Sequence, residues 1–344
     1  MEYICLYFGI ITIGIFYLNK NDMNIIRLIF LILTLFSGFR YYVGVDYPMY
    51  MKIFSYIKNN INNYEVTRLE KGYYFLTKFI VNINGTQQLI FLIIAFFTNY
   101  LIYKSIKRES NNILMSTFIY FLVGAYYSAG FNLIRQVMAI SIFFYSIIFI
   151  KQKKIMKYFL GIILGGLFHK SCFLLLPLYW ILNLKYNKFI KIILFFITIA
   201  FNFLLPKLYE ILGYGQYTKL KYEATTNFIT LFLFFILALL IEIFSKKILL
   251  DNVSKNINYF TILLTLTIFI NEKTFPTMNQ VFIRMSSYFT FYYIILIPQL
   301  LKSAIKKYSL ALNLIFFICI SILYFKTFLL QLPIYKYSFL LFDF

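Results

Sequence analysis

The sequence predicts an all-α polytopic membrane protein with about twelve transmembrane helices, and three observations carry that expectation. Hydrophobic residues make up 62% of the 344 residues while charged residues make up 13%, about half the share of a soluble chain. Apolar runs long enough to approach a bilayer span recur along the whole length. Between them, short loops rich in lysine and arginine alternate with more polar ones.

The apolar runs fall near 3–18, 24–39, 87–103, 112–127, 131–150, 155–168, 170–184, 188–205, 227–245, 257–271, 285–301 and 308–325. The first follows Met1-Glu2-Tyr3, with no basic leader or small-residue cleavage site, so it reads as a retained span. The runs at 155–168 and 170–184 are short for about 30 Å of hydrocarbon. They read either as two short spans or as one helix broken at His169-Lys170. One set of loops holds Lys20, Arg27, Lys104, Lys107, Arg108, Lys151, Lys153, Lys154, Lys185, Lys246, Lys247, Lys302 and Lys306. The positive-inside rule places that set in the cytoplasm and both termini outside. The segments 40–86, 206–226, 272–284 and 327–344 then form the outer face. The first should carry an amphipathic helix near 70–82. The 206–226 segment reads as a tyrosine- and lysine-bearing outer loop, and the chain reads as a single transmembrane domain over 1–344.

A formal charge of +21 on such a chain sets topology and meets anionic lipid; nucleic acid is the weaker partner. Three scattered cysteines inside apolar runs read as packing residues. One histidine, no cysteine pair and no Asp-x-Asp argue against a bound metal and against a nucleotide-sugar donor. No P-loop pattern is present, so no nucleotide cofactor is expected.

On this topology the unusual polar residues gather at the outer face: Arg40, Asp46, Glu65, Arg68, Glu70, Arg135, His169, Glu272 and Arg284. Charged groups beside a bilayer are costly unless they have partners or work. Asp46 lies between Gly44 and Pro48 on a bent, tyrosine-rich segment, where it reads as a general base or sugar ligand, or as a turn cap or partner of Arg40. His169 is a second candidate base, or a hydrogen bond between helices. Arg135 opens a span, and its planar fork suits a pyrophosphate. Asn132, Gln136 and Ala139 are expected on its helical face. Arg284 opens another span and reads as a second phosphate clamp or a headgroup contact, with Arg40 as a third. Glu70 and Tyr50 are candidate sugar ligands, as are Gln136 and Asn132. Most of the tyrosines read as an aromatic belt.

Several of these residues recur in a recognisable order. Arg40-x-x-x-Gly44-x-Asp46-x-x-x-Tyr50 is followed by Glu70-x-Gly72-Tyr73, Arg135-Gln136 with Ala139, Phe168-His169-x-Ser171, and Arg284 with Tyr288. Together they resemble the EpsG family of Wzy-like polysaccharide polymerases, over nearly the whole chain. Here Gly-Val-Asp stands where that pattern has Gly-Thr-Asp, which keeps the aspartate and removes a hydroxyl. The resemblance implies a GT-C-like fold with one outward-facing cavity, in the bacterial cytoplasmic membrane. It implies joining of undecaprenyl-pyrophosphate-linked repeat units into capsule, exopolysaccharide or O-antigen, with a chain-length regulator as a possible partner. A lipid-linked oligosaccharide flippase and a membrane sugar acyltransferase are the rival readings. The flippase should carry cations deep in a lumen open to both faces. The acyltransferase needs a histidine reached from the cytoplasm.

Overall fold

The computed structural model describes residues 2–20, 22–211, 228–274, 276–304, 309–330 and 338–339. Helices account for most of them. In chain order these are α1 (Glu2–Lys20), α2 (Met23–Gly38), α3 (Tyr47–Lys58), α4 (Tyr64–Thr67), α5 (Lys71–Asn82), α6 (Gln87–Glu109), α7 (Ile113–Leu122) and α8 (Ile134–Lys151). They continue as α9 (Ile155–Phe168), α10 (Leu178–Asn183), α11 (Lys188–Ile211), α12 (Phe228–Ile248), α13 (Asn252–Thr274), α14 (Pro276–Thr290), α15 (Tyr293–Ala304) and α16 (Ser309–Leu330). Among the described residues the single extended feature is a two-residue antiparallel pairing of β1 (Arg40–Tyr41) with β2 (Ser338–Phe339). Among the described residues, α6, α8 and α13 meet both length and composition for a membrane crossing. The shorter apolar helices are α1, α2, α7, α9 and α16. The chain is an all-α, multi-pass membrane protein.

The structure revises several expected spans. The run at 112–127 is helical only over α7, then turns into a 3-10 segment at Ser128–Phe131. The 155–184 region is a hairpin: α9 rises to His169, and a 3-10 segment (Lys170–Leu175) leads back through α10. Tyr158 donates to the Leu175 carbonyl at 2.6 Å. The Tyr158–Tyr179 ring pair, 5.8 Å apart, and the close approach of Gly165 to Cys172 Sγ, 2.6 Å from where a Cβ would lie, show the two arms antiparallel. The expected outer loop 272–284 is largely helical, divided between the end of α13 and α14. Pro276 starts α14, a position that needs no backbone N–H. The run 285–301 is a pair of helices, α14 and α15, meeting at a bend of 51°. The segment 40–86 carries α3, α4 and α5. Of the 206–226 segment, residues 212–226 lie outside the described residues, as does most of 327–344.

Burial is organised by tyrosine as much as by aliphatic residues. Tyr120, Tyr126, Tyr158, Tyr288, Tyr292 and Tyr293 are fully buried, so the belt expectation fails for them. Their hydroxyls tie helices together: Tyr126 to the Thr290 carbonyl at 2.8 Å, Tyr127 to the Leu33 carbonyl at 2.7 Å, Tyr120 to Asn99 at 2.7 Å. In a hydrocarbon setting an unsatisfied polar group costs several kcal/mol, which forces such pairing.

Charged residues collect at the two ends of α8. At its last residue, Lys151 Nζ meets Glu109 Oε2 at 2.7 Å, Asp251 Oδ2 at 3.0 Å and the Tyr292 hydroxyl at 2.6 Å. These residues come from loops that charge alternation assigns to one side. Arg135 marks the other end, about 24 Å away along the helix.

Candidate active site

The first element of the site is the turn after α2. Gly44 has φ +102°, a region side chains rarely adopt. A Cβ there would also lie 2.5 Å from the Phe131 carbonyl oxygen and 2.7 Å from Asn132 Oδ1. Asn132 Oδ1 accepts the Val45 N–H at 2.8 Å. Asn132 therefore latches the turn from just before α8. It is neither on the helical face of Arg135 nor a free sugar ligand, as the sequence had led us to expect. Asp46 follows at the start of α3, with Pro48 in the first turn and no side-chain capping bond.

Arg40 is corrected as well. It is 2% exposed. Its guanidinium donates to the Ser37 carbonyl at 2.9 Å and the Phe131 carbonyl at 3.3 Å. The rings of Phe91 and Phe131 stand 4.7 and 5.3 Å from its carbon. These contacts commit Arg40 to joining α2 to the 3-10 segment, and they leave it out of reach of a pyrophosphate.

The second element is α5. A Cβ on Gly72 would approach the Leu167 carbonyl oxygen to 2.7 Å, so glycine lets α5 lie directly on the end of α9. That contact brings Glu70 to α8, where its carboxylate forms an ion pair with Arg135 Nη1. Arg135 Nε donates to the Tyr50 hydroxyl at 3.5 Å. The rings of Tyr50 and Tyr73 each lie 5.8 Å from the guanidinium carbon. Glu70 and Tyr50, expected as sugar ligands, are buried groups that aim Arg135. Gln136, also expected to meet sugar, is 2% exposed and donates to the Arg284 carbonyl at 3.2 Å. It fixes α14 against α8.

The third element is the α9 hairpin tip. His169 Nδ1 lies 2.6 Å from Ser171 Oγ, which lies 3.0 Å from the Tyr288 hydroxyl. Ser171 and Tyr288 were motif positions on the sequence, but neither was given a role there. The available signals were a hydroxyl two residues from the sole histidine and a tyrosine one turn after Arg284. Arg284 itself is exposed on α14. Among the described residues, its guanidinium has no hydrogen bond or ion pair. Glu65 and Arg68 sit apart and exposed at α4, Arg68 resting over the Tyr64 ring. The side chain of Glu272 lies outside the described residues.

Asp46 and His169 each feel both Arg135 and Arg284 electrostatically. Burial raises the Asp46 carboxyl above its ordinary value, against the pull of Arg135 and Arg284. Burial lowers the His169 imidazole, with Arg284 and Arg135 adding to the effect and Glu70 opposing it. Burial also raises the Tyr50 phenol, partly offset by Arg135. A basic carboxylate and a neutral imidazole thus face two cations, of which one is held in place and one is unengaged.

These features define a multi-pass α-helical membrane protein with a polar, doubly cationic site at one end of its bundle. The profile of the EpsG family matches residues 23–339, and the chain belongs to that family. Membership links it to polysaccharide biosynthesis. No curated protein and no solved structure matches the chain.

Proposed function

We propose that this protein is a polysaccharide polymerase that joins oligosaccharide repeat units carried on undecaprenyl pyrophosphate. The site would face the outer side of the bacterial cytoplasmic membrane, in a bundle of about twelve spans. The observation that carries the reading is Arg284, exposed and without a hydrogen bond or ion pair of its guanidinium among the described residues, acting with Arg135 on both Asp46 and His169. Two guanidinium groups suit the two phosphates of a leaving pyrophosphate.

In the proposed step, an acceptor hydroxyl oxygen bonds to the anomeric carbon of the donor sugar. The bond from that carbon to the pyrophosphate oxygen breaks, and the electron pair leaves with the pyrophosphate. Arg284 and the Nη2 edge of Arg135, which makes no hydrogen bond among the described residues, hold that developing charge. The hydroxyl proton passes to Asp46. Its environment favours protonation, whereas burial and two arginines oppose an imidazolium at His169. His169 then orients the acceptor through Nε2, its Nδ1 being held by Ser171 and, beyond it, Tyr288.

The test is deletion in the native host, complemented with wild type, R284A or D46N. Single repeat units reaching the outer face without longer chains support the reading. Repeat units trapped on the cytoplasmic side would replace it with transport.

A further inference from the structure

The helices that begin beside Asp46 and Glu70 carry a second feature at their far ends. α3 and α5 run parallel: near their starts, the Tyr50 and Tyr73 rings lie 5.6 Å apart. Near their ends, Ile57 and Val81 line an open groove of about 270 Å³. That volume lies just below the roughly 300–1,000 Å³ of enclosed small-molecule sites, so it holds part of an extended ligand and not the whole of a large one. From Tyr50 to Lys58 the helix advances about 12 Å, so the groove lies one short chain segment from the site.

Tyr56 and Tyr74 supply aromatic walls, Asn60 and Asn82 supply amides, and Lys58 and Lys78 supply cations. No acidic residue lines the groove. Lys58 and Lys78 are exposed, and Lys78 Nζ lies 6.0 Å from the Tyr74 ring centre. Aromatic rings suit the C–H faces of sugars, amides suit their hydroxyls, and unopposed ammonium groups suit carboxylate or phosphate substituents. Seven of its eleven lining residues bear hydrogen-bonding side chains, which favours a saccharide over an acyl-tailed headgroup.

We infer that this groove binds a strand of anionic polysaccharide as it enters or leaves the neighbouring site. The inference rests on the polymerase reading for its biological ligand but not for its chemistry. The test uses the full-length protein in phosphatidylcholine nanodiscs, with a galacturonate hexamer as anionic probe and cellohexaose as neutral probe. The anionic hexamer should bind wild type, and K58E/K78E should bind it at least tenfold more weakly while keeping the wild-type unfolding midpoint. K58Q/K78Q should fall between them, and cellohexaose should bind all three weakly and alike. Equal affinity of wild type and K58E/K78E for the hexamer, or equal binding of both probes to wild type, overturns the inference. So does lysine-dependent binding to phosphatidylglycerol vesicles with no hexamer binding, which would make the groove a headgroup site. Lysine-dependent hexamer binding, alongside repeat units trapped on the cytoplasmic side of the deletion strain, would retain the groove and reject the polymerase reading.

Discussion

Arg135→Ala isolates what the Glu70 ion pair does. The substitution strands a carboxylate whose side chain is 10% exposed, beside a guanidinium site that is 22% exposed. Removing one partner of a buried pair costs about 3–5 kcal/mol. The residual exposure of Arg135 admits water, so the low end applies, about 3 kcal/mol. Loss of the contacts to the Tyr50 and Tyr73 rings adds about 0.5–1 kcal/mol each. Glu70→Gln in the R135A background removes the stranded charge and should return about 2 kcal/mol. The double-mutant cycle should therefore show strong coupling. Trp180, the sole tryptophan, packs on Phe159 in the α9 hairpin and reports unfolding in mixed micelles. The doubly substituted protein should fold yet make no polymer. An R135A protein that unfolds at the wild-type midpoint, or strictly additive single effects, would refute the reasoning.

Other consequences are open to the same assays. Arg284→Ala should leave the unfolding midpoint unchanged, because the guanidinium has no hydrogen bond or ion pair to lose among the described residues. It should cut polymer formation roughly 100-fold, about 3 kcal/mol for two charge-assisted hydrogen bonds; a destabilised R284A would contradict its placement. Gly44→Ala should cost about 1–2 kcal/mol for the left-handed backbone alone, more for the approach to Phe131, and should abolish polymer by displacing Asp46. A G44A protein with wild-type yield would end the latch argument. Polymer synthesis in nanodiscs should fall on acidification through an Asp46 pKa above the ordinary aspartate value, since a base must be unprotonated. An acid limb at or below that value would count against Asp46. Because its folded-state pKa is raised, ionisation of Asp46 weakens the fold at neutral pH. D46N should therefore be more stable than wild type there, and the difference should vanish below both pKa values.

Much of the helical layout was legible from apolar runs, because period and length report burial in lipid directly. The segment around Asn271-Glu272-Lys273-Thr274 misled because polarity there reads as loop. In the fold, Asn271 Nδ2 reaches Asn202 Oδ1 at 2.6 Å and Asn279 Nδ2 reaches the Ile268 carbonyl at 2.9 Å, so polar residues serve between helices. At the site, charge near a membrane marked the right neighbourhood but not the division of labour. Arg40 and Arg284 look equivalent in sequence. Only packing shows the first enclosed by Phe91 and Phe131 and the second open. The Glu70–Arg135 pair joins residues far apart in the chain, a separation no local pattern encodes. Gly44 and Gly72 were visible as motif positions, but the carbonyls they approach were not.

Anchoring α8 at both ends has a mechanical consequence. Arg135 is gripped by Glu70 at one end, and Lys151 by Glu109 and Asp251 at the other. A rod fastened at both ends cannot act as a piston or turn about its axis without breaking one fastening. One residue inserted mid-helix would rotate one end by about 100° relative to the other, so the rod is fixed in phase as well as in length. Any opening of the site must then come from tilting of its neighbours, with α8 as the stator.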